Sequence, residues 1–117
     1  NSFEGGYCAM TRLLALPVPP TAVMTADDTM AIGALAAAAD AGVHVPRDLS
    51  LIGFDDIRIA AYLRPALTTI RQPVEGIAAE AVALIVDMVH QREAPRRLHR
   101  FLAPELVVRA SCAPPIP

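Results

Sequence analysis

The chain has 117 residues, 54% of them hydrophobic, a formal net charge of −2 and no lysine; its ten basic residues are arginines spread from Arg12 to Arg109. That length suits one compact domain or a large piece of one, with enough chain to bury a core. The scattered arginines argue against a concentrated basic face for gripping phosphates, and no apolar run approaches the ~20 residues of a membrane span.

Residues 3–16 read as a helix, with Tyr7, Met10, Leu13 and Leu14 at three- and four-residue steps and Pro17-Val18-Pro19-Pro20 ending the run. Gly5-Gly6 reads as a turn rather than a phosphate loop. Thr21 to Ala26 is a short apolar stretch with β-branched members, expected to be a buried strand stopped by Asp27-Asp28. Thr29 to Ala41 carries almost no polar side chain; Asp28 as N-cap and Gly42 just past the end frame a helix there. A helix so apolar needs cover on most sides.

A loop around Pro46 leads to a second strand, Leu49 to Phe54, closed by Asp55-Asp56. A helical turn from Ile57 to Tyr62 and a third strand from Leu67 to Ile70 follow, ended by Gln72-Pro73. The longest helix spans 74–91, with Val74, Ile77, Ala78, Ala81, Leu84, Ile85 and Met88 along one stripe. Residues 92–97 read as a polar turn and Arg100 to Arg109 as a last strand. This order is α/β: a mostly parallel sheet with helices on both faces.

Chemistry is sparse. His44, His90 and His99 lack metal-ligand spacing, and the Asp pairs lack the looped alternation of a calcium site. There is no GxGxxG, GxxxxGK[ST] or GxSxG motif, so neither a cofactor nor a catalytic residue is expected. Two cysteines in a chain this short, Cys8 and Cys112, suit free thiols and the cytoplasm better than a disulfide framework. Cys8 near a helix start has no base nearby in sequence and reads as an ordinary thiol. The N-terminus shows no basic-then-apolar signal pattern.

In open parallel sheets, ligands bind beyond the carboxyl ends of the strands. Asp27, Asp55 and Gln72 each follow one strand, a polar trio without a nucleophile that suits hydroxyl recognition better than bond breaking. The alternative is that strand-end aspartates only cap the next helix, a role for which Asp28 and Asp56 stand one residue nearer.

Four runs, Pro20 to Leu35, Gly42 to Asp56, Pro65 to Pro73 and Glu105 to Ser111, resemble in this order the lac/gal repressor family of transcription regulators, over about residues 3–111. The resemblance implies a periplasmic-binding-protein-like fold of two lobes holding a small polar effector: a sugar, sugar alcohol or nucleoside. It further implies a homodimer, operator DNA read by an N-terminal helix-turn-helix that does not precede Asn1 here, and no membrane partner. By position, Asp27, Asp55 and Gln72 match effector-contacting places, although the family more often has Asn where Asp27 stands. Ionised Asp only accepts hydrogen bonds, so donors on the effector are expected there.

On this reading residues 1–117 are a partial effector-binding domain. About 3–72 and 98–111 form the C-terminal lobe, and helix 74–91 packs on a first lobe absent from the chain, or else on a second copy or its own sheet. A transport-type solute-binding protein of the same fold is the second reading. An enzyme on a doubly wound sheet is the third.

Overall fold

The computed structural model describes residues 1–91 and 99–115; the polar turn expected at 92–97 lies outside them. The chain forms two compact units, Asn1–Arg71 with Leu106–Pro117, and Gln72–Glu105.

In the first unit, α1 (Phe3–Leu14) begins at Ser2, whose hydroxyl accepts the Gly5 amide at 3.0 Å. It ends two residues before the expected 16, because its last turn closes ahead of Pro17. Gly5 and Gly6 lie inside this helix rather than in a turn. The reason is packing: a Cβ at Gly6 would overlap the backbone of Met30, and one at Gly33 the backbone of Phe3. Thus α1 and α2 (Asp28–Asp40) meet backbone to backbone.

Three strands, β1 (Ala22–Met24), β2 (Ser50–Phe54) and β3 (Thr68–Arg71), run parallel, and β4 (Glu105–Val107) completes the order β1-β2-β3-β4. The core joins Met10 of α1, Ala31, Ala34, Ala37 and Ala38 of α2, and Leu49, Leu51, Ala60 and Leu67 of the sheet layer. α2 is buried or half-buried on most sides, against α1 and the sheet layer; only the narrow face of Ala36, Ala39 and Asp40 is not covered. Alanine leaves so little apolar area on that face that it tolerates water. Nor is β1 buried: it is an edge strand, and Met24 is exposed. The strand expected from Arg100 to Arg109 is regular only at Glu105–Val107.

Residues after β4 tie the sheet together. The Arg109 amide donates to Thr68 Oγ1 (2.9 Å) and the Ala110 amide to the Ala66 carbonyl (2.9 Å). Ser111, fully buried, accepts the Thr68 amide on its hydroxyl (2.8 Å) and donates to the Leu51 carbonyl (2.5 Å). Both cysteines are unpaired, Cys8 exposed and Cys112 half-buried.

The second unit is built on α3 (Val74–Gln91), with the bounds its apolar repeat predicts. Ile77, Ala81 and Leu84 of α3 border a cavity of about 440 Å³ with Phe101 and Leu102, and Arg100 pairs with Glu80 at 3.4 Å. The apolar residues exceed one stripe: Val74, Val82, Ile85, Val86, Met88 and Val89 are all exposed. No helix among the described residues is long and apolar enough to cross a membrane.

Candidate functional site

The carboxyl ends of β1 and β2 are adjacent, because Met24 pairs in register with Ile52 and the Thr25 amide donates to the Ile52 carbonyl at 2.9 Å. Asp27 and Asp55 follow these two ends. Gln72 directly follows β3 and opens the second unit, where its carbonyl accepts the Val74 amide at 2.9 Å.

Asp27, not Asp28, is the N-cap of α2: its Oδ1 accepts the Met30 amide at 2.7 Å from an extended backbone. The helix starts one residue earlier than expected, and that offset moves the capping role to the first of the two aspartates. Among the described residues only Oδ1 of the half-buried Asp27 is engaged, which leaves Oδ2 as an acceptor.

Asp28 is fully buried and serves three segments. It opens α2, its Oδ2 accepts the Ile57 amide (2.9 Å), and its Oδ1 accepts the Thr69 hydroxyl (2.6 Å). Gly53 makes room for it, since a Cβ there would overlap the carboxylate.

The turn after β2 is conformationally unusual. Asp55 has φ 107° and Asp56 φ 54°, two successive non-glycine residues in the left-handed region. Such a conformation costs of order 1–2 kcal/mol per residue and persists where the surroundings enforce it. Here the Asp55 amide is held by the Ile70 carbonyl of β3 (2.8 Å), while its side chain stands at the surface.

Asp56 caps nothing: the short 3-10 turn Arg58–Ala61 has no side-chain cap. The carboxylate accepts Arg71 Nε at 2.7 Å and Arg109 Nη2 at 2.5 Å with little exposure, and Arg109 also donates to the Leu67 carbonyl (2.8 Å). Burial alone pushes the Asp56 carboxyl up, but the two guanidiniums outweigh it and hold the group below the usual carboxylate range. Pattern reading misses Asp28, Asp56, Thr69 and Arg109 because their partners are distant in sequence. The doubled aspartates are the only local signal.

Elsewhere, His44, Arg47 and Asp48 form an exposed cluster before β2, where the Arg47 guanidinium, with the His44 amide, holds the Asp48 carboxyl far below its ordinary range. Among the described residues no three His, Cys, Asp or Glu side chains converge as metal ligands.

Residues 2–112 match the periplasmic binding protein-like domain family. Over 111 residues the chain is 45% identical to the HTH-type transcriptional repressor PurR of Escherichia coli O139:H28, covering 94% of this chain and 32% of that protein. Among solved structures, a regulatory protein of the LacI family from Chloroflexus aggregans superposes with a TM-score of 0.85 at 43% identity, over 97% of this chain and 41% of that one. A LacI family transcriptional regulator from Enterococcus faecalis V583, with bound ribose, gives 0.85 at 34% identity over the same shares. The chain thus spans about a third of the length of the curated relatives it matches. With its parallel sheet and these matches, the chain belongs to the lac/gal repressor family of regulators, within their periplasmic-binding-protein-like domain.

Proposed function

We propose that this segment is the C-terminal-lobe part of the effector-binding domain of a bacterial transcription regulator, and that it binds a small polyhydroxylated effector without transforming it. One observation carries the reading: two carboxylates, Asp27 and Asp55, follow adjacent carboxyl ends of parallel strands, and the Asp55 backbone is held in a strained conformation beside the sheet. Acceptors at those two strand ends suit ligand hydroxyls, and Gln72, next in sequence after β3, is a further candidate by its amide, which both donates and accepts. A ribose-bound relative supports a sugar as the first ligand to try.

In this reading α3 docks through its exposed apolar residues on the domain's other lobe. Two copies pair, for which the 420 Å³ groove between α1 and α2, lined by Phe3, Tyr7, Cys8 and Ile32, offers an apolar face. DNA contact belongs to a helix-turn-helix of the kind named in the relatives, and the regulator works in the bacterial cytoplasm.

Calorimetric titration of the native full-length chain with ribose, xylitol and adenosine tests the reading. Binding of one of them, weakened at least tenfold by Asp55→Ala, is expected. No heat from any of the three, or binding indifferent to Asp55→Ala, would overturn it.

A further inference from the structure

We infer that Asp28, acting through Thr69, is the positioning residue of the effector site: it does not touch the ligand but sets the turn that presents Asp55. This inference rests on the effector-binding reading above.

Four observations meet at Asp28. Its carboxylate is completely buried, yet among the described residues no positively charged group is its partner; it is held by the Thr69 hydroxyl at 2.6 Å and the Ile57 amide at 2.9 Å. Ile57 lies two residues past Asp55, so this bond pins the far side of the left-handed pair Asp55-Asp56. Thr69, itself fully buried, lies next to Ile70, whose carbonyl pins the near side through the Asp55 amide. Finally, Asp28 is bonded in sequence to Asp27, the other strand-end acceptor, and opens the helix that Asp27 caps.

A single carboxylate thus couples the ends of β1, β2 and β3. An apolar side chain of like volume would fill the same space without the cost of burying a polar group. What an apolar residue cannot do is accept two hydrogen bonds at a set angle from two segments, and so hold the strained turn in place.

The test uses the native full-length chain with Asp28→Asn, Thr69→Val, Thr69→Ser and Asp55→Asn, read by ribose calorimetry and by ligand-free amide NMR of residues 55–57. Thr69→Val should weaken ribose binding five- to tenfold and shift the Asp55 and Ile57 amide signals. Thr69→Ser, which keeps the hydroxyl, should stay within twofold of wild type with those signals in place. Asp28→Asn should lower the protection of the Ile57 amide from hydrogen exchange at least tenfold. In the Asp55→Asn background, Thr69→Val should cost no further affinity, whereas general destabilisation would add.

Folded Thr69→Val protein with wild-type affinity and unmoved 55–57 signals would overturn the inference, as would a loss that Thr69→Ser fails to rescue. If ribose does not bind the wild type, the sugar reading fails by itself. The amide signals then decide: movement in Thr69→Val but not in Thr69→Ser upholds the positioning role, and no movement ends it.

Discussion

Arg109 reaches back 53 residues to put its guanidinium on the carboxylate of Asp56, at 2.5 Å, while its other terminal nitrogen holds the Leu67 carbonyl. With Arg71 on the second oxygen, this fixes the charge state of a residue in the turn at the end of β2.

Because the folded-state pKa of Asp56 lies below its unfolded value, near 4, the ionised group stabilises the fold above that pH. The stabilisation is lost as pH falls through 4 towards the lower folded value. Urea midpoints should therefore drop between pH 5 and pH 3, and Asp56→Asn should flatten that dependence while costing about 2 kcal/mol at pH 7, where it leaves two guanidiniums without their carboxylate. A pH profile unchanged by Asp56→Asn would show that other carboxylates govern acid stability.

Asp27 allows a clean separation of capping from binding. Asparagine caps helices as well as aspartate does, so Asp27→Asn should leave thermal stability within about 0.5 kcal/mol. If the second oxygen accepts a ligand hydroxyl, the amide will lower ribose affinity several-fold. Equal affinity in both proteins would reduce Asp27 to a cap.

At φ 107° a β-carbon is strained, so two truncations of Asp55 should differ. Asp55→Gly and Asp55→Ala both remove the carboxylate and should lose binding alike. The glycine variant should nevertheless be the more stable by about 1 kcal/mol in denaturant titrations. The reverse order would mean the turn does not hold this conformation in solution.

Neighbouring glycines of α1 should respond oppositely to alanine. At Gly5 a Cβ meets only the Ser2 hydroxyl oxygen at 3.3 Å, so Gly5→Ala should be neutral or stabilising by up to about 1 kcal/mol. At Gly6 it meets the Met30 backbone, and Gly6→Ala should cost about 2–4 kcal/mol by forcing the two helices apart. Calorimetric melting of the two variants checks both signs.

What could be read from the sequence follows the range of the forces involved. The apolar runs of β2 and β3, the repeat of α3 and the stop at Pro17 are local, and each element appears where its run and its breaker put it. The strand-end positions of Asp27 and Asp55 were legible for the same reason: β2 stops where Asp55 begins, and β1 stops at Met24, two residues short of Asp27 rather than at the expected Ala26. Which aspartate of a pair caps, and which is buried, was not legible. That choice depends on a one-residue offset in the start of α2 and on Thr69, 41 residues away. Gly6 likewise read as part of a turn, because the close approach of α1 and α2 that needs it cannot be seen from local sequence.

The staple made by Ser111 has a consequence for how the molecule is made. The Thr68 amide donates to, and the Leu51 carbonyl accepts from, a serine synthesised some forty to sixty residues later, beyond the whole of α3. A nascent chain that has emerged only as far as Arg71 therefore carries three strands in which these two polar groups still need water or a chaperone. The first unit can close only once residues 109–111 have left the ribosome, so α3 is exposed to the cell before the sheet that precedes it is complete.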